Sequence, residues 1–199
     1  MKPSLLVRSL LSLGYSVILF ATPLGAEEAQ RHHAASVHVS TMPLYRGRVN
    51  LQYDPWEESM VFNMGLRFGY AYTFENLSVG IGLGYHYVNV LKFHELVAPL
   101  SIAYHWEVSE RSALGVVGEL EYLGVVHQAF DTTDCFCNIG YRINHGPEAR
   151  FLFSYRYTLS GGLAFSFRTG LAFGFTSAGA GNNIVQIGTP LELGVQQSF

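Results

Sequence analysis

Apolar side chains at every second position, sustained over runs of nine to fifteen residues, constrain this chain more than any other feature. In 163–175 the alternating set is Leu163, Phe165, Phe167, Leu171, Phe173 and Phe175, against Ala164, Ser166, Arg168, Gly170, Ala172 and Gly174. The final run has Val185, Ile187, Leu191, Leu193, Val195 and Phe199 against Gln186, Gly188, Glu192, Gly194, Gln196 and Ser198. Period-two alternation gives a β-strand one apolar face and one small or polar face. The same pattern recurs at 60–74, 77–87, 96–108, 114–126 and 151–159.

Length separates these strands from those of soluble sheets, which usually stop at about five or six residues. A tilted strand needs roughly 9–11 residues to cross a bilayer. The second face is mostly Gly, Ala, Ser and Thr with single charges, which suits the crowded interior of a narrow barrel. Gly is abundant at 21 residues, and charged residues make up only 14%. A last strand ending on Phe199 resembles bacterial outer-membrane β-barrel proteins, whose terminal strand typically closes on an aromatic. The resemblance implies that this strand is the signal read by the outer-membrane assembly machinery.

The connections alternate in length. Glu75-Asn76, Ser109 to Ser112 and Ser160 to Gly162 are short; Asn89 to Glu95, His127 to Ala149 and Thr176 to Asn183 are longer. Outer-membrane barrels have short periplasmic turns and longer external loops. The last strand then runs toward the periplasm, and a chain that also starts there needs an even strand count. Seven clear strands require one more before residue 60. Pro43 interrupts the candidate region 36–54, so the first strand is expected at 44–54, with 27–43 as a periplasmic N-terminal segment and 44–199 as the barrel. The fold class is all-β: an eight-stranded antiparallel transmembrane up-and-down β-barrel similar to the small OmpA and OmpX type. Tyr70, Tyr72, Tyr104, Trp106, Tyr157 and Phe199 are expected near the periplasmic strand ends. Tyr53, Phe62, Tyr85, Tyr87, Phe151 and Phe173 are expected near the other rim, giving two interfacial belts.

The N-terminus reads as a secretory signal peptide. Lys2 and Arg8 precede an apolar stretch from Leu10 to Phe20, and small residues end the segment at Ala26. No other segment carries about 18 uninterrupted apolar residues, which argues against helical spans. Cleavage after Ala26 removes two of the 12 basic residues and none of the 15 acidic ones. An acidic remainder whose one lysine is Lys92 excludes nucleic acid as a partner.

The candidate site is a set of charges on the small-residue face: Arg48, Arg67, Glu119, Glu121, Arg156, Arg168 and Glu192. Unpaired charges inside a narrow barrel are costly, so they are expected to pair. The expected pairs are Glu119 or Glu121 with Arg156, Arg168 with Glu192, and Glu192 with Arg48 across the closure. The transmembrane domain of OmpA is similar in holding an interior charge network. The resemblance implies a plugged interior and a structural or surface-interaction role; a narrow gated pore is the alternative. Cys135 and Cys137 fall in the longest external loop, in an oxidising compartment. They admit a loop disulfide, pairing between molecules, or metal capture with His127 and His145. C-x-C lacks a zinc-site spacing, so no metal and no cofactor is assigned.

Outer-membrane lipid A deacylases carry a His-x-Ser pair and a Glu on the lipid-facing side. His38-Val39-Ser40 has that spacing, but it lies on the polar phase at or before the first strand, so no catalytic residue is assigned. Gly80-Ile81-Gly82-Leu83-Gly84 sits inside a strand and is not a nucleotide loop. The expected surroundings are outer-membrane lipid and lipopolysaccharide, with the assembly machinery as a transient partner and a monomeric state. Intact-mass analysis of envelope-extracted protein is expected to show a chain starting at Glu27; a retained leader would contradict this reading.

Overall fold

The computed structural model describes residues 33–49, 58–88, 93–131, 138–177 and 183–199. The expected signal peptide, Tyr53, Cys135 and Cys137 lie outside them. Nine strand segments follow in chain order: β1 (His33–Val49), β2 (Glu58–Phe74), β3 (Leu77–Val88), β4 (Phe93–Ser109), β5 (Ser112–Asp131), β6 (Asn138–Thr158), β7 (Leu163–Ser177), β8 (Asn183–Gly188) and β9 (Leu191–Ser198). Each pairs antiparallel with its sequence neighbour from β1 through β8. β8 and β9 form a single stave. Both lie between β7 and β1, β8 pairing with Phe173 and Tyr45, β9 with Phe167 and Val39. The sheet therefore closes on itself as an eight-staved antiparallel barrel.

Closure is completed at the chain end. His33 N–H donates to Phe199 O at 3.2 Å, and Phe199 N–H returns to His33 O at 2.8 Å. The His33 and Phe199 rings stack with centroids 6.1 Å apart, and His33 Nδ1 lies 2.6 Å from the Tyr70 hydroxyl. Three connections at this end are tight. Glu75 takes a left-handed backbone (φ 52°), and Gly161 and Gly162 supply φ of 66° and 84° in the third turn.

The apolar phase faces outward. Phe153 and Leu83 are 70% and 68% exposed, and Phe62, Ile81, Leu96, Phe151 and Leu193 share that outer surface. No water-facing sheet presents so continuous an apolar band. The small-residue phase faces inward. Glycines there take the place that large inward side chains need: the His38 ring lies over Gly194, and the Arg67 stem passes 3.2 Å from where a Cβ on Gly84 would sit.

The first strand differs from its expected limits. β1 begins at His33, so most of the supposed periplasmic segment is barrel wall, and Ala34, His38, Ser40 and Met42 point inward. Pro43 does not end the strand because its missing N–H coincides with a gap in the ladder. Thr41 pairs with Leu191 and Leu44 with Gly188, and the skipped partners are Thr189 and Pro190. Pro99 and Pro147 use the same device. The β3–β4 ladder skips from Leu100 to Val97, and the β6–β7 ladder skips from Glu148 to His145. A strand proline is tolerated where no ladder hydrogen bond is required of it.

The hairpin of β5 and β6 is also longer than expected. β6 starts at Asn138 rather than Phe151, so much of the segment expected to be a loop is strand. Phe151 is consequently a mid-strand residue rather than a rim aromatic. Tyr85 and Tyr87 do sit at the outer end of β3, where the Tyr85 hydroxyl lies 2.6 Å from His94 Nδ1. The Tyr122 hydroxyl lies 2.8 Å from His145 Nδ1 on the next hairpin. Amphipathic rings with a polar tip suit the interface between hydrocarbon and water.

Gly170 lies opposite the skipped Thr189–Pro190 step, and any Cβ there would collide with the Phe151 carbonyl and the Leu152 backbone. Gly118 has its nearest neighbour, Ile102 O, at 4.0 Å from such a Cβ. Gly170→Val is expected to abolish most of the heat-modifiable, SDS-resistant band on gels, and Gly118→Ala to leave it intact. Equal behaviour of the two variants would refute this account of the wall.

Candidate functional site: the interior charge network

The inward phase brings arginines and glutamates from five strands into one buried cluster. Arg67 on β2 reaches across the lumen to β5, where its Nη2 lies 2.7 Å from Glu119 Oε2 and also bonds Glu121 Oε1. Its Nη1 lies 3.3 Å from Glu192 Oε1 on β9. Arg150 on β6 is the second hub. It donates from Nε to Glu148 Oε1 at 2.7 Å, from Nη1 to Glu192 Oε1 at 3.2 Å, and its Nη2 lies 3.3 Å from Glu121 Oε2. Arg168 on β7 is held more loosely, 3.4 Å from Glu119 and 3.9 Å from Glu192.

Three guanidinium groups thus meet four carboxylates, and Gln186 adds an amide N–H to Glu148. The side chains of Arg67, Glu121, Glu148, Arg150 and Glu192 are at most 5% exposed. The planar fork of arginine lets one side chain satisfy carboxylates on several strands, which lysine cannot do as a point charge. Arg67 spans strands three apart in the wall, so the cluster crosses the lumen instead of lining one side of it.

Arg67, Glu119, Glu121, Arg168 and Glu192 come together here as a set. Arg156 does not join them. It lies further toward the short-turn end, paired in register with Ala113 and Ser166, and the carboxylate whose charge reaches it is Glu107. Arg48 cannot face Glu192: the register sets Arg48 opposite Ile184 and Glu192 opposite Ser40. The side chain of Arg48 lies outside the described residues. The register shift follows from the earlier start of β1, which moves every closure pair along the strand. Arg150 and Glu148 are missing from the sequence reading because Pro147 and Gly146 broke the alternation there. The available signal was phase: Glu148, Arg150, Leu152, Ser154 and Arg156 share one parity.

The interior is uneven along its axis. Toward the outer end Met42, Asn63, His86, Val88, Glu95, Val97, Leu123 and Val125 are all at most 2% exposed. Asn63 donates its amide to Glu95 Oε2 at 2.8 Å there, with the His86 ring 3.7 Å from the same oxygen. Toward the short-turn end Ser36, Thr73, Ser101, His105, Arg156 and Gln196 are partly accessible. His38 and Ser40 point into the lumen, and His38 Nε2 lies 2.9 Å from Ser166 Oγ. They face away from the lipid side that the deacylase pattern uses. Gly80 to Gly84 lies within β3, as the strand reading has it.

No family model matches the chain, and no curated protein matches it in sequence. The fold has solved counterparts. Neisserial surface protein A is 13% identical, with a TM-score of 0.55 over 83% of this chain and 99% of that one. The outer membrane protein AlkL, solved in lipid bilayers, is 16% identical at a TM-score of 0.49, covering 89% of this chain and 94% of its own. Ail of Yersinia pestis is 10% identical at 0.45, covering 84% and 99%. A closed barrel with an apolar outer band and tight turns at one end defines a small β-barrel of the bacterial outer-membrane type. The chain is an eight-stranded barrel of this class, and its place is the outer membrane.

Removing Arg150 takes the guanidinium from buried Glu148 and one of the cations shared by Glu121 and Glu192, and breaking a buried pair in this way typically costs about 3–5 kcal/mol. Removing Arg156, which is partly solvated, should cost no more than about 1 kcal/mol. Urea unfolding of Arg150→Ala and Arg156→Ala in lipid vesicles is expected to rank them in that order; the reverse order would contradict the network.

Proposed function

We propose that the barrel is a closed, non-enzymatic outer-membrane protein with a structural or surface-interaction role, its lumen plugged by the charge network. The observation that carries this reading is the near-complete burial of Arg67 and its carboxylate partners at mid-lumen. Eight strands leave an interior just wide enough for side chains. The buried apolar and polar layer above the network adds a second obstruction. An ion entering such a layer would lose its hydration among tightly buried side chains.

The aromatic and histidine tips at the outer end of β3–β6 suit contact with the polar part of the outer leaflet, lipopolysaccharide included. The terminal strand ending on Phe199 fits recognition by the assembly machinery, and a barrel without sheet edges fits a monomer. The charged and then apolar start of the sequence, residues 1–26, fits a leader for export. A narrow gated pore is the second reading, favoured by the looser contacts of Arg168 within the cluster.

Planar-bilayer recording separates the two. Folded wild-type protein is expected to be electrically silent, and Arg67→Ala combined with Glu121→Ala, which deletes the bridge across the lumen, should produce discrete steps. Regular steps from the wild type that change with Arg168→Ala would establish the gated pore in its place. Lipid A extracted from cells expressing the protein is expected to keep its acyl pattern; any change in its mass spectrum would make the barrel an enzyme.

A further inference from the structure

Among the described residues, Arg156 is an interior cation that the network leaves out. Arg156 is partly buried inside the lumen, forms no ion pair among the described residues, and its Nε has no hydrogen-bond partner. Two residues along β6, Ser154 also points inward, and its buried hydroxyl is likewise without a partner. The neighbouring strands bring two more donors to the same spot. His105 on β4 faces this space from across Gly115, and a Cβ on Gly115 would meet both the His105 ring and, at 2.7 Å, Ser154 Oγ. Arg168 is the diagonal neighbour of Arg156, since Ser154 pairs with Arg168 and Arg156 with Ser166. It is the most exposed arginine of the network, at 19%. The charges of Arg156 and Arg168 both reach the His105 ring. Glu107 shares a register row with Arg156 across Ala113 and its charge reaches that guanidinium, but the residue is exposed and forms no ion pair with Arg156.

We infer that Arg156, Arg168, His105 and Ser154 form an anion-binding vestibule in the periplasmic half of the lumen, built for a small oxyanion of the phosphate type. Arg156 Nε and the Ser154 hydroxyl converge on this space without a partner, Arg168 is held only loosely by Glu119 and Glu192, and a tetrahedral oxyanion supplies acceptors in several directions at once. Arginine is suited to it because its fork matches two oxygens of one anion. Access is from the periplasm, the end at which inward residues are solvent-accessible, while the network and the buried layer above close the other side. Lipid headgroups are excluded because the wall is continuous, so the ligand is a free anion. The site does not depend on whether the network ever opens, and its failure would leave the plug untouched.

The test is an NMR titration of the isotopically labelled protein, refolded in lipid nanodiscs, with inorganic phosphate at constant ionic strength. The expected result is a saturable shift of the Arg156 Nε–H and His105 ring signals that chloride does not reproduce. Arg156→Gln should weaken binding at least tenfold while the heat-modifiable gel mobility stays normal, and Ser154→Ala should weaken it a few-fold. If Arg156→Gln fails to fold, Arg156→Lys is read the same way, because it keeps the charge and loses the fork. Shifts that never saturate, that chloride matches, or that survive loss of the guanidinium would overturn the site.

Discussion

Everything in this molecule depends on the pairing of its first strand with its last. In hydrocarbon an open sheet edge leaves a row of peptide groups with no partner, each costing several kcal/mol. β1 and β9 remove that row, and the reciprocal bonds between His33 and Phe199 carry the closure to the final residue. Once the sheet is shut, its two faces have opposite fates. The outer one can be as apolar as lipid, and the inner one becomes a narrow tube whose contents must satisfy one another. The charge network is the consequence: arginines long enough to cross the tube, with glycine on the wall wherever their stems or a histidine ring need room.

Much of this architecture is legible in the sequence, because period-two alternation reports directly on a wall with two different solvents. The hairpin turns, the strand number and the inward set of Arg67, Glu119, Glu121, Arg168 and Glu192 all follow from parity. What parity misreads is proline. Pro43 pushed the expected first strand to 44–54 and Pro147 hid the first half of β6, and with it Arg150 and Glu148. In the barrel these prolines lie where the ladder skips a step, a property of two strands together that neither reveals alone. Arg156 misses Glu119 because the β5–β6 hairpin sets Arg150, six residues away, opposite that carboxylate, and Arg48 misses Glu192 because of closure. Register between distant strands is set by closure, and closure depends on where β1 begins.

The arginines also show how one residue type takes different roles by position. Arg67 and Arg150 are each shared among carboxylates from several strands and hold the wall together at mid-height. Arg168 touches the same carboxylates from their solvated side. Arg156 is beyond their reach. The gradient from matched to unmatched cation runs along the axis, toward the end where water enters.

That gradient divides the membrane electrically. The partly wetted half of the lumen stays near the potential of the compartment it opens to, as far up as Arg168. Any voltage between the two sides of the membrane therefore falls over the dry outer half, where Asn63, His86, Glu95 and Glu148 lie. The field there is steeper than the full membrane thickness would give. Arg168 stands at its foot, where a change in voltage does the least work on it.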